Sequence, residues 1–150
     1  MRPRRNILFI LGGHILVNSG APKCTCGAVG CLESEASGWV LPILVQEHAD
    51  YAHSSLNSME NVGFREVMEH AAAADSCATA VLAHILRYWG EAMMLFIHSC
   101  DPERIIIGGG IMNAPDLVLA SFRKTVSDLA WIEEGQVENS FRRTVRIMQG

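Results

Sequence analysis

Apolar residues recur through the middle of the chain at Val67, Ala71, Ala74, Ala78, Val81, Ile85, Trp89, Ala92 and Phe96, in steps of three and four. That spacing predicts helix with one face buried along its whole length, and it places Glu66, Glu69, Asp75 and Arg87 elsewhere on the wheel. One helix over 64–98 would be long for a globular protein. Asp75 followed by Ser76 offers an N-cap, so two helices are expected to meet there, the second ending at Asp101 and Pro102. Upstream, the short apolar runs 6–11 and 15–17 suggest two strands around a tight turn at Gly12 and Gly13. Residues 39–61 suggest a helix entered at Pro42 and then a loop over 57–63. Downstream, Arg104–Ile107 reads as a buried strand running into Gly108, Gly109 and Gly110. Pro115 and Asp116 open an amphipathic helix carrying Leu117, Leu119, Ala120, Val126 and Leu129, and the loose alternation over 136–149 suggests one or two strands. This alternation of helices and strands predicts an α/β fold.

With 150 residues, 49% hydrophobic and 19% charged, the chain can bury the core of one domain, which argues against disorder. The net charge is −4 and basic residues are scattered apart from Arg2, Arg4, Arg5, Arg142 and Arg143, so no nucleic-acid partner is expected. Residues 1–21 imitate a secretory leader, but Gly12, Gly13 and His14 interrupt the apolar stretch that a leader needs. No other segment approaches the 18 or more consecutive apolar residues of a membrane span, so a cytoplasmic location without a membrane partner is expected.

Five cysteines argue against a fully paired disulfide framework. Cys77 and Cys100 stand alone in apolar surroundings and are expected in the core, whereas Cys24, Cys26 and Cys31 crowd into a glycine-rich loop between 18 and 38. A metal would order such a loop. One histidine with three cysteines is a standard tetrahedral set for structural zinc, and His14 lies ten positions before Cys24 at the mouth of the expected strand turn. The two thiols of the C-x-C pair can face one ion only if the chain turns, and Gly27 and Gly30 permit that. A disulfide, or three reduced thiols, is the alternative. His48 and His53 are five apart and are expected on the surface, His84 and His98 at helix edges, and Met93 and Met94 as core filler.

The run from Gly13 to Glu33, with Gly13-His14, Cys24-x-Cys26-Gly27-x-x-Gly30-Cys31-x-Glu33 and then Ser37-Gly38, resembles the signature of the ROK family of bacterial sugar kinases and sugar-responsive repressors. Residues 101–110 resemble the strand and glycine turn beside the family's nucleotide site. The resemblance covers nearly all of this chain but only about the C-terminal half of a full-length member. It implies one C-terminal lobe, 1–150, of a ribonuclease H-like, actin/hexokinase-type sugar kinase fold, with an inserted zinc loop over 14–33 and no N-terminal lobe. It also implies that His14 contacts a hexose or amino-sugar as well as zinc, that Glu33 accepts hydrogen bonds from sugar hydroxyls, and that Gly108, Gly109 and Gly110 form a turn under the adenosine of the nucleotide, ATP with Mg2+ being the cofactor of a full-length member. Without the resemblance Glu33 would read as a solvated loop acid and the glycines as a plain turn, since Asn113 breaks the G-x-G-x-x-G pattern.

One departure stands out: Leu11 occupies the position of a second sugar-binding glutamate, and residues 1–11 look unlike the family. The family transfers the terminal phosphoryl group of ATP to a hexose, using a phosphate loop and an aspartate upstream of the zinc motif. The thirteen residues before His14 contain no acid. No catalytic residue is therefore assigned, and the chain alone is expected to be inactive as a kinase. The alternative is a non-catalytic sugar-sensing or oligomerisation module of a repressor. Self-association into a homo-oligomer is expected in either case.

Overall fold

The computed structural model describes residues 12–20, 22–100, 104–107, 118–120, 122, 124–125, 128 and 146–149. After a 3-10 turn at Gly12–His14 come helices α1 (Leu32–Ala36), α2 (Leu41–Glu47), α3 (Phe64–Ala72) and α4 (Ser76–Cys100), then strands β1 (Arg104–Ile107) and β2 (Arg146–Gln149). Two further 3-10 turns, Tyr51–His53 and Ser55–Ser58, link α2 to α3. The described elements are mostly helical. Their one sheet has two parallel strands, with Arg104 opposite Arg146 and Ile107 opposite Gln149.

The expected break between the two long helices is present, and Asp75 makes it. Its carboxylate accepts the Ala78 backbone N–H at 3.0 Å, the N-cap geometry that satisfies a donor left free at the start of α4. The same carboxylate takes the Ser55 N–H and hydroxyl, both at 2.8 Å, and the Ser54 hydroxyl at 3.0 Å. One side chain thus caps α4 and pins the turn before α3. At the junction Ala74 takes φ 63° and is exposed, so the apolar face is not buried along its whole length. The chain needs a left-handed residue to reverse there, and that turns the alanine out of the stripe. At the start of α3 the Glu66 carboxylate reaches back to the Gly63 N–H at 2.9 Å, half of a capping box.

Val67, Cys77, Ala78, Val81 and Ile85 pack with Leu41, Val45 and Leu56 into the main core cluster. A second cluster joins Met68 and Met93 to Val118 and Phe122, with Trp89 stacked on Phe122 at 5.1 Å between ring centroids. Helix α4 is long and apolar enough to cross a membrane by length and composition. Here it supplies both clusters and packs against α1, α2 and α3, the behaviour of a core helix.

Several expectations change. Gly12 and Gly13 form part of a 3-10 turn rather than a strand turn, and residues 15–17 form no strand but one isolated antiparallel bridge, Leu16 to Cys31, bonded through Ile15 and Val17. The stretch 18–38 is not all loop, because α1 closes it with Ser34, Glu35 and Ala36 buried. The helix at Pro42 is present as α2, with proline in its first turn where a missing N–H costs nothing. Cys77 is buried as expected, but Cys100 is exposed at the end of α4. Residues 6–11, Leu11 among them, and Gly108, Gly109 and Gly110 lie outside the described residues. The helix expected after Pro115 is seen at 118–120, 122, 124–125 and 128.

Asp75 makes a pH prediction. Burial alone would raise its pKa, but the Ala78 and Ser55 N–H groups and the Ser55 and Ser54 hydroxyls outweigh that and hold it well below the usual carboxylate range. A depressed folded pKa gives stability that is complete above the unfolded value of about 4 and lost as pH falls below it. Asp75→Ala is expected to lower stability by about 2 kcal/mol at pH 7. In urea unfolding, the difference between wild type and Asp75→Asn should shrink from pH 6 to pH 3. A constant difference over that range would contradict the assignment.

Candidate metal centre

The segment before α1 is a small hairpin. Val17 N–H donates to Gly30 O at 2.8 Å, Leu32 N–H to Ile15 O at 2.9 Å and Cys24 N–H to Ala28 O at 2.8 Å. At its tip the Gly27 N–H closes a turn onto Cys24 O at 2.9 Å, and Gly27 and Gly30 have φ of 93° and 83°. These two left-handed glycines swing the thiols of Cys24 and Cys26 to one side and return the chain so that Cys31 faces them.

His14 reaches the same point from the 3-10 turn. One ligand atom from each of His14, Cys24, Cys26 and Cys31 lies within 4.8 Å of the others. Cys24 Sγ is 3.6 Å from His14 Nδ1, and Cys26 Sγ is 3.6 Å from Cys31 Sγ. Tetrahedral zinc with sulfur arms of about 2.3 Å puts its ligand atoms about 3.8 Å apart, so the arrangement fits that ion. All five cysteines are free, so the alternative disulfide is not formed here.

Electrostatics favour a cation as well. The Cys26 backbone N–H, against the opposing effect of burial, brings the Cys24 thiol down to about 7, with the Cys26 and Thr25 side chains and His14 helping. Burial, with the neighbouring Cys26 and Cys24, pushes Cys31 up to about 12. A divalent ion among the ligand atoms would favour the thiolate form of its cysteine ligands and displace their protons.

With Nδ1 turned to the thiols, the other imidazole nitrogen of His14 points at Glu33, Nε2 to Oε2 at 3.3 Å. A carboxylate on the far side of a metal-binding histidine fixes its tautomer and ring angle. Glu33 is partly exposed on α1, and Gly13 lies against it: a Cβ there would come 3.2 Å from Oε2. The structure therefore brings together His14, Cys24, Cys26, Cys31 and Glu33.

A second set of residues was not singled out from the sequence. Glu35 is 3% exposed, with Oε1 accepting from Asn18 Nδ2 at 3.0 Å and Oε2 lying 3.0 Å from His84 Nε2. Asn18 Nδ2 also donates to the Tyr88 hydroxyl at 2.9 Å. His84 is thus more than a helix-edge histidine. Nothing local in the sequence distinguishes Glu35 from Glu33, because burial of one depends on α4 arriving from about fifty positions away.

The ROK family pattern matches residues 12–144. The chain is 31% identical over 121 residues to a glucokinase of Thermotoga maritima, covering 77% of this chain and 38% of that one. It is 25% identical over 118 residues to the DNA-binding transcriptional dual regulator NagC of Escherichia coli, covering 79% of this chain and 29% of that one. Among solved structures, a ROK family glucokinase from Streptomyces griseus in complex with glucose and AMPPNP superimposes with a TM-score of 0.72 at 25% identity, over 92% of this chain and 45% of that chain. The chain spans less than half the length of these relatives. With a matched pattern over most of its length and a His14, Cys24, Cys26, Cys31 cluster consistent with a zinc site of that family, the chain belongs to the ROK family.

Proposed function

We propose that this chain is a zinc-stabilised, sugar-binding lobe of a ROK-type sugar kinase, of ribonuclease H-like architecture, whose family reaction phosphorylates a hexose or amino-sugar at the expense of ATP. The single observation that carries the reading is the Glu33–His14 contact behind the four-ligand cluster. An ionised carboxylate accepts strong hydrogen bonds, and its two oxygens can be divided between the histidine and a sugar hydroxyl. The zinc supplies no chemistry to the sugar in this reading. It would be held by His14, Cys24, Cys26 and Cys31 and would order the hairpin, so that the chain's own groups present fixed acceptors to the ligand.

The glucokinases of Thermotoga maritima and Streptomyces griseus, the second solved with glucose, support a hexose as ligand. The likeness to NagC supports a second reading, a sugar-sensing module of a repressor, in which the same acceptors serve without phosphoryl transfer.

A chimaera tests the sugar site. It joins this chain to the part of the Thermotoga maritima glucokinase that the chain does not match. Glu33→Ala in that protein should weaken glucose binding by about 1–3 kcal/mol, measured calorimetrically, while one zinc per chain is retained. Equal glucose affinity with and without Glu33 would return this residue to a solvated loop acid.

A further inference from the structure

The helix that carries Glu33 is five residues long, too short to form unaided, and its first turn has no side-chain cap. Its stability and its angle must come from what packs behind it. The carbonyls at its C-terminal end would be left without helical partners. Two side chains of α4 take them: His84 Nε2 lies 3.2 Å from Glu35 O, and Trp89 Nε1–H donates to Ala36 O at 3.0 Å. His84 Nε2 is also 3.0 Å from the buried Glu35 carboxylate, whose other oxygen is held by Asn18. Asn18 in turn belongs to the hairpin, its N–H donating to Gly30 O at 3.2 Å.

Glu35 therefore joins three parts: α4 through His84, the zinc hairpin through Asn18, and α1 itself. On a helix of 3.6 residues per turn, positions 33 and 35 point to nearly opposite sides. Fixing Glu35 inward fixes Glu33 outward, against His14.

We propose that Glu35 and His84 are positioning residues for the Glu33–His14 pair, setting the rotation of α1 so that Glu33 orients the imidazole of a metal ligand. This rests on the reading of the centre as a zinc site and of Glu33 as its sugar-facing partner. Removing the clamp leaves α1 free to rotate, and His14 then loses its orienting carboxylate. Loss of such an outer contact typically weakens metal binding by about 10- to 100-fold.

The test uses this chain, with zinc as the probe, in competition against a chromophoric chelator at low temperature, beside the thermal midpoint of each variant. Zinc stoichiometry of the wild type is measured first. His84→Ala is expected to bind zinc about tenfold more weakly, and His84→Gln, which keeps an N–H donor, to regain most of that. Asp75→Ala, which loosens α4 at its capped end, should lower the thermal midpoint without changing zinc affinity. Should His84→Ala fail to fold, Glu35→Gln, which keeps the shape and removes the charge, should still weaken zinc by a few fold. Wild-type affinity in His84→Ala, or in Glu35→Gln where that variant stands in, would overturn the proposal. An equal loss in Asp75→Ala would overturn it too, by assigning the effect to general stability. A wild-type chain that takes up no zinc would overturn the underlying metal reading and this proposal with it.

Discussion

Replacing Cys26 and Cys31 together by serine is expected to take the chain from about one bound zinc to none, and to leave the hairpin open to proteases. Each sulfur is one corner of a four-atom cage no wider than 4.8 Å, and serine offers neither the soft ligand nor the reach. Structural zinc in small sites is worth about 10–16 kcal/mol in apparent binding free energy, so two lost ligands leave too little to hold the ion. The hairpin has few other resources, because Leu16 and Val29 are exposed and, beyond backbone hydrogen bonds, Val17 and the Asn18 side chain are what tie it to the helices. Elemental analysis after dialysis, with limited proteolysis over 18–31, reads both effects. Serine at Cys77 and Cys100 serves as the control, since neither belongs to the cluster. Zinc content unchanged in the Cys26, Cys31 variant would sink the assignment.

Gly30→Ala should be nearly as damaging, through the backbone alone. A Cβ on Gly30 would sit 1.7 Å from the Asn18 carbonyl oxygen, which is backbone and cannot turn aside. Relief requires parting the strands that Gly30 O joins by accepting from Val17 and Asn18. The expected cost is about 3 kcal/mol or more, combining those hydrogen bonds with the penalty for a left-handed alanine. Gly27→Ala is the counterpart: its φ is equally left-handed, but nothing lies within 4 Å of the added carbon. It should cost only about 1 kcal/mol. Urea unfolding of both variants checks the contrast, and similar losses at the two positions would refute the steric argument.

What could be read from the sequence divides by range. The helical stripe from Val67 to Phe96, the cap at Asp75 and the entry at Pro42 are signals carried by a few neighbouring residues, and the structure has α3, α4 and α2 at those places. The ligand cluster is local in the same sense, spanning His14 to Cys31, and the two glycines that shape it announced the turn. The apolar run at Leu16 yields only an isolated bridge, because such a run says nothing about whether a partner strand is available. Cys100 is exposed despite its apolar neighbours in sequence, because such neighbours do not fix which way the last residue of a helix faces. The Glu35, His84 and Asn18 network was invisible, since it exists only once α1 and the hairpin have docked on α4.

Helix α4 has no proline along its 25 residues, and its one glycine, Gly90, is buried. Mechanically it is an unhinged beam, clamped at His84 to the helix that carries Glu33 and ending at Cys100, four residues before β1 begins. The sixteen rises from His84 to Cys100 make an arm of roughly 24 Å. A tilt of about 5° at the clamp would carry the far end through roughly 2 Å, given the helix length set by that rise. The packing of Tyr88, Trp89 and Met93 along that arm holds the beam against such a tilt, so the hairpin and the sheet end are set by one rigid element.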